Sequence, residues 1–169
     1  YDSLKDLRPV ALMGMSEHVL ATHPGSGIKS IADLRAAARK PGAALNYASF
    51  GNGTSAHLSG AALAQQMGLD LVHIPYKGQA PALADLLGGQ VTLMFGNWPE
   101  FRSHVQSGKL VAIGMATAKR SRYAPDVPTL AELGFKGLED TPSYGIWAPK
   151  GTPTTFINGF SQALDKAVG

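Results

Sequence analysis

The sequence contains no cysteine. That excludes disulfides, thiolate catalysis and Cys-type zinc sites, and is neutral about compartment. Charge is sparse: 16% of residues are Asp, Glu, Lys or Arg, and the formal net charge is +3. Such mild basicity favours anionic ligands but is too small and too scattered to argue for nucleic acid. No apolar run approaches the roughly 20 residues needed to span a bilayer, and neither an internal repeat nor a low-complexity tract is found. The chain opens at Tyr1, without a Met or a signal-peptide pattern, in what reads as the middle of an element. A processed product or a fragment is therefore expected. At 169 residues it is long enough for one domain, or one and a half small lobes, with a real core.

What is present is organised around Leu45–Leu58. The apolar run Leu45–Ala48 reads as a buried strand. It breaks at Ser49-Phe50-Gly51-Asn52-Gly53, where two glycines and an asparagine permit positive φ and a close backbone approach. Thr54 and Ser55 are N-cap candidates, and Leu58, Ala61 and Ala62 start a helical face. Strand, glycine turn and capped helix leave first-turn N–H groups facing a crevice at the strand's carboxyl end, a setting for an anion. An ordinary capped strand-to-helix turn reads equally well from local sequence alone. The loop has no Gly-Lys-Ser/Thr ending, and Ala56 stands where a GxGxxG fingerprint needs its third glycine. A polyphosphate ligand is thus disfavoured, and a smaller anion such as a carboxylate fits better.

Around this stretch the pattern is α/β. Val10–Met13 and Val19–Thr22 read as strands. Ser30 and Asp33 form a capping box for a helix with Ile31, Leu34 and Ala38 inward. Leu71–Ile74, a helix over 79–87 and Val91–Phe95 make a βαβ unit, which implies a parallel sheet. Pro99 opens a further helix, followed by a strand over 110–116. The segment 118–142 is irregular, with a short helical candidate at Thr129–Leu133. After a strand at 144–148, a last helix aligns Phe156, Phe160, Leu164 and Val168 at i+4 spacing. That stripe is too apolar for water; a neighbouring lobe, or pairing with another copy of the chain, would cover it.

With these residues in hand the sequence resembles the periplasmic substrate-binding receptors of tripartite tricarboxylate transporters, the TctC-like or Bug family. The resemblance runs through Tyr1-Asp2, Leu4-Lys5-Asp6 and Pro9-Val10, then Leu45-Asn46-Tyr47 and Gly51-Asn52-Gly53-Thr54-Ser55 with His57-Leu58. It continues through Val72–Gly78, Pro81-Ala82-Leu83, Leu86–Val91, Met94-Phe95 and Asn97, and through Asp126–Thr129 to Ala148-Pro149 and Gly151-Thr152-Pro153. It implies a type II periplasmic-binding-protein-like fold with a mainly parallel sheet flanked by helices, plus part of the other lobe. Residues 1–18 would be a crossing strand and a piece of lobe one. Residues 19–143 would be lobe two, and 144–169 a crossing strand and a helix returning to lobe one. The implied function is a periplasmic receptor, not an enzyme, that closes on a small carboxylate and delivers it to membrane permease subunits. Neither a cofactor nor a metal is implied. A ligand-sensing effector domain of a transcription regulator is the alternative.

The resemblance places the ligand carboxylate at the glycine turn. It implicates Ser49, Gly51, Asn52, Gly53, Thr54 and Ser55, with His57, Tyr76 and Asn97 beside them. The family commonly has an Asp where this chain has Gly96. Its loss is expected to lower repulsion toward a second acidic group, or to open space for a bulkier ligand. Among the remaining residues, His57 is expected to pack or bond against the loop, because no nucleophile with a third orienting group is visible. His73 reads as a satisfied core histidine, Lys77 as an attractor of anions or a solvated lysine, and Lys119–Arg122 as a wet loop. Asp126 and Glu132 form no carboxylate pair that would support glycosidase chemistry. Trp98 and Trp147 are left open between core and cleft.

Overall fold

The computed structural model describes residues 1–168, and the side chains up to residue 167. Val168's side chain and Gly169, at the end of the expected apolar stripe, lie outside the described residues. The elements in chain order are α1 (Ser3–Asp6), β1 (Leu7–Met15), β2 (His18–Thr22), α2 (Ile31–Ala38), β3 (Asn46–Ser49), α3 (Ser55–Met67) and β4 (Val72–Pro75). They continue with α4 (Gln79–Leu87), β5 (Leu93–Asn97), α5 (Trp98–Gln106), β6 (Val111–Met115), β7 (Ser143–Pro149) and α6 (Thr154–Val168). The chain forms two compact units: Tyr1–Ser16 with Pro142 onward, and Glu17–Thr141.

In the first unit β1 and β7 pair antiparallel, with Leu7 opposite Pro149 and Met15 opposite Ser143. Ile157 of α6 is buried, while Phe156 and Phe160 are exposed and stack on each other. Trp147 is exposed as well.

The second unit is a three-layer sandwich around a sheet of order β4–β3–β5–β2–β6. β3 pairs parallel with β4 and β5, whereas β2 runs antiparallel to both β5 and β6. Four strands therefore share a direction and β2, in their midst, opposes them. The mainly parallel sheet expected from the apolar runs is a mixed one, because burial on both faces fixes a strand's position but not its sense. The β4–α4–β5 unit also steps over β3 instead of joining neighbours.

Alternation sorts the strand side chains between two cores. Leu20, Tyr47, Leu93 and Phe95 meet Leu34 of α2 and Ala56 and Leu63 of α3 on one face. Val19, Ala21, Ala48 and Met94 meet Leu86 of α4 and Phe101 of α5 on the other, where Trp98 is also buried. Each large apolar side chain so buried contributes about 1.5–3 kcal/mol. α3 is rich in Ala and Leu and ends at Gly68, whose left-handed φ of 63° turns its N–H onto the Ala64 and Gln65 carbonyls.

The capping box at α2 forms: Asp33 N–H donates to Ser30 Oγ at 3.1 Å, and Asp33 Oδ2 accepts from Lys29 N–H at 3.0 Å. The helical candidate at 129–133 is instead a single turn. Its box is present, with Glu132 N–H on Thr129 Oγ1 and Thr129 N–H on Glu132 Oε2, at 3.1 and 2.7 Å. Thr129 also bridges to Met115 at the sheet, and Gly134 follows with φ 94°, so no second turn develops.

Candidate ligand-binding site

β3 and β5 are parallel neighbours paired at Tyr47–Leu93 and Ala48–Met94. The helix after β3 packs on one face of the sheet and the helix after β5 on the other. Beyond Ala48 and Met94 the two chains part, and the crevice opening there is where ligands bind in open α/β sheets. Phe50 lies at this divide: it is half-buried and packs against the cores of both faces. Its ring stands edge-on to His18, with centroids 5.9 Å apart.

The turn is closed by its own side chains. Gly51 and Gly53 have φ of 137° and 78°, the region only glycine enters without strain. The Gly51 carbonyl accepts from Thr54 Oγ1 at 2.8 Å, and the Gly51 N–H donates to Ser49 Oγ at 3.2 Å. Gly53 N–H donates to His57 Nδ1 at 3.1 Å, so the bond expected of His57 is formed with the loop. Thr54 stands at the N-cap, but its hydroxyl closes the turn and caps no helix N–H. In consequence, among the described residues, the amides of Ser55, Ala56 and His57 in the first turn of α3 meet no protein acceptor. Three free N–H groups at the positive end of a helix dipole suit a carboxylate.

Ser49 differs from expectation. It is fully buried, and its hydroxyl lies 2.6 Å from His73 Nε2 as well as bonding within the turn. It holds the loop from beneath. The Ser49–His73 contact has the outline of a nucleophile and base. The serine is sealed from substrate, however, and no carboxylate bonds to His73 among the described residues. His73 is half-buried, stacked between Tyr47 and His57, and desolvation followed by the nearby His57 pushes its pKa down.

Tyr76 adjoins the turn through its backbone, its N–H donating to the Ser49 carbonyl at 2.9 Å. Its hydroxyl is directed to Asp85 of α4 at 2.6 Å, a bond that raises the phenol pKa to about 12. Lys77 is exposed. Arg120 forks onto Glu132 with Nε at 3.0 and 3.1 Å from its carboxylate oxygens.

Asn97 stands across the crevice from the turn at the end of β5, almost fully buried. It is directly opposite His18 of the antiparallel strand β2. Asn97 Oδ1 lies 3.1 Å from His18 Nε2, and Asn97 Nδ2 donates to Gln79 Oε1 at 2.9 Å. His18 Nδ1 lies 3.0 Å from Asp140 Oδ2, which also accepts from Ser59 Oγ of α3 at 3.0 Å. The expected residues thus fall into two groups, Ser49–His57 with Tyr76, and Asn97, joined by the Phe50–His18 contact. His18, Gln79, Phe50 and Asp140 escaped sequence reasoning. A histidine inside an apolar run was the one available signal for His18.

Gly96 packs toward the core and does not line the cleft as expected. A Cβ built there would strike the Phe101 ring. The position faces the core under α5, so its missing carboxylate neither relieves the cleft of charge nor widens it.

A crevice of this build, on a sheet of this order, defines the α/β lobe of a solute-binding protein. Among the solved structures that align over 99% of the chain are two with a named ligand. One is "R. palustris Rpa4515 with adipate", at TM-score 0.88 and 32% identity over 55% of that chain. The other is "MatC (Rpa3494) from Rhodopseudomonas palustris with bound malate", at TM-score 0.91 and 29% identity over 57% of that chain. Protein BugT of Bordetella pertussis is 34% identical over 168 residues, 99% of this chain and 52% of BugT. The family model described as "Tripartite tricarboxylate transporter family receptor" matches residues 1–169, and the chain belongs to that family of receptors. It spans about half the length of the curated relatives it matches.

Proposed function

We propose that this chain is the ligand-capturing part of a periplasmic receptor for a small carboxylate, which passes its cargo to the permease of a tripartite tricarboxylate transporter. One observation carries this reading: the unpartnered amides of Ser55, Ala56 and His57 at a switch-point crevice. A ligand carboxylate docks on those N–H groups. Gly51, Asn52 and Gly53 allow its close approach, and Thr54, His57 and Tyr76 form the wall, with Ser49 fixing the loop from beneath. Asn97 meets the remainder of the ligand. Residues 19–143 correspond to lobe two in this reading. Residues 1–18 and 144–169 are the crossing strands with parts of lobe one. Adipate and malate in the two related structures support a dicarboxylate as the class of ligand.

Amide NMR of the chain during titration with adipate, malate and a neutral diol of similar length tests this. Saturable shifts at Ser55–His57 and at Asn97 with the acids, and none with the diol, are expected. A folded chain whose amides there stay unmoved at millimolar acid would overturn the proposal.

A further inference from the structure

The sequence holds the dipeptide Asn-Gly twice, at Asn52-Gly53 and at Asn158-Gly159. Asparagine before glycine is especially open to cyclisation, because no Cβ on the second residue shields its backbone nitrogen from the asparagine side chain. The two copies stand in different settings. Asn158 and Gly159 lie within α6, where the helical hydrogen bonds fix the backbone. Asn52 and Gly53 are exposed in the glycine turn, and Gly53 has φ 78°. Thr54 closes that turn onto the Gly51 carbonyl with its N–H at 3.4 Å and its hydroxyl at 2.8 Å, and these bonds span the Asn52–Gly53 peptide without using it. Among the described residues no hydrogen bond of the turn engages the Asn52 side chain.

The group that the Asn52–Gly53 peptide does meet is a base. Gly53 N–H donates to His57 Nδ1 at 3.1 Å. A ring nitrogen that accepts carries no hydrogen, so His57 is the neutral tautomer with its hydrogen on Nε2. The ring is held in place by the first turn of α3 and by its stack on His73. The proton facing the Nδ1 lone pair is the one that must leave for the Gly53 nitrogen to attack a carbonyl carbon. A side chain at hydrogen-bond distance from the proton it removes meets the geometric condition for a general base.

We propose that Asn52 is a self-modification site: His57 promotes its deamidation, and the product puts a negative charge in the turn that receives the anion. His57 Nδ1 takes the Gly53 amide proton. The Gly53 nitrogen forms a bond to Asn52 Cγ, and the bond from Cγ to the side-chain nitrogen breaks. That nitrogen leaves as ammonia, carrying the proton His57 had taken. Water then opens the five-membered imide. Opening at Cγ leaves an aspartate at position 52. Opening at the main-chain carbonyl leaves an isoaspartate, with the chain running through the former side chain. Nothing is oxidised or reduced. Either product sets a carboxylate in the turn that leads to the three free amides at the positive end of α3. The isoaspartate also lengthens the main chain by one carbon before Gly53. The effect on affinity rests on the carboxylate-receptor reading above; the chemistry at Asn52 does not.

The test ages the full chain at neutral pH and follows both Asn-Gly sites by peptide mass spectrometry, with isoaspartate identified by enzymatic methylation. Asn52 is expected to react at least about tenfold faster than Asn158. His57→Gln keeps an acceptor for Gly53 N–H but no base; it should remove most of that excess and leave the Asn158 rate unchanged. In urea, Asn52 is expected to slow and Asn158 to speed up. An Asn52 rate that is unchanged or raised in His57→Gln overturns the proposal. So does an Asn52 that reacts faster in urea than in the folded chain, and this comparison decides the matter should His57→Gln not fold. Affinity is read with adipate as probe on Asn52→Asp and on the aged chain. Binding roughly tenfold weaker than in the fresh wild type, with the difference shrinking as salt is added, is expected. Undiminished affinity in both overturns the effect on the ligand. Failure of the fresh wild type to bind adipate overturns the receptor reading, while the deamidation stands or falls by its rates.

Discussion

The imidazoles of His57 and His73 lie face to face, 4.0 Å between centroids and 16° from parallel. Through them the two ends of the glycine turn are tied together. His57 Nδ1 accepts from Gly53 N–H, and His73 Nε2 meets Ser49 Oγ, on which Gly51 N–H also bonds. A proton on either ring repels one on the other, so the stack is a stable support only while at most one ring is charged.

Acid should therefore loosen the fold through this stack. The folded-state pKa of His73 lies below its ordinary value near 6.5, chiefly by desolvation and then by His57. The unfolded chain binds the proton first, so stability is full above about pH 6.5 and declines as pH falls toward the depressed folded value. Buried His18 adds a decline of the same sign. Thermal unfolding from pH 8 to 5 should show it, and His73→Gln should flatten part of the slope. An unchanged slope in that variant would remove His73 from the account.

Ser55 is the first residue of α3, and its N–H is one of the free donors. Proline is tolerated at that position, and Thr54 before it is already extended, with φ −71° and ψ 160°. Ser55→Pro should leave the melting temperature within a few degrees of wild type. It should weaken adipate binding by roughly tenfold or more, since a bond to a charged group contributes about 1.5–3 kcal/mol. Undiminished affinity would place the carboxylate elsewhere.

Glycine at 96 is a packing requirement. Gly96→Ala puts a methyl group against Phe101 beneath α5. A destabilisation of about 1–3 kcal/mol in urea unfolding is expected, and Gly96→Asp should be worse, because it also buries a carboxyl group without a partner. A neutral Gly96→Asp would restore the idea of an open cleft at this position.

Tyr76 should resist ionisation. Its bond to Asp85 holds its pKa near 12, above the ordinary 10.0. Among the five tyrosines, its phenol should be the late step in an ultraviolet titration. Tyr76→Phe should abolish that step, with a stability loss of about 0.5–1.5 kcal/mol. Affinity for adipate should change little, because the hydroxyl is turned toward α4.

The local grammar of the chain was legible without coordinates. Alternation and apolar runs marked the strands. Gly51 and Gly53 before Thr54 and Ser55 marked a turn that aims free amides at a crevice, and Ser30 with Asp33 marked a helix start. Each of these depends on residues a few positions apart, where φ preference, side-chain reach and periodicity act directly. Tertiary structure decided what sequence order does not encode. It placed β2 antiparallel between β5 and β6, and so set His18 opposite Asn97 and within reach of Asp140, 79 and 122 residues away along the chain. It turned Gly96 into the Phe101 core, drew the Tyr76 hydroxyl to Asp85, and buried Ser49 under the loop it was expected to line. In a mixed sheet covered on both faces every strand is apolar, so hydrophobicity identifies the strands. Their order and sense, fixed by the packing of α3 on one face and α4 and α5 on the other, choose which polar side chains meet.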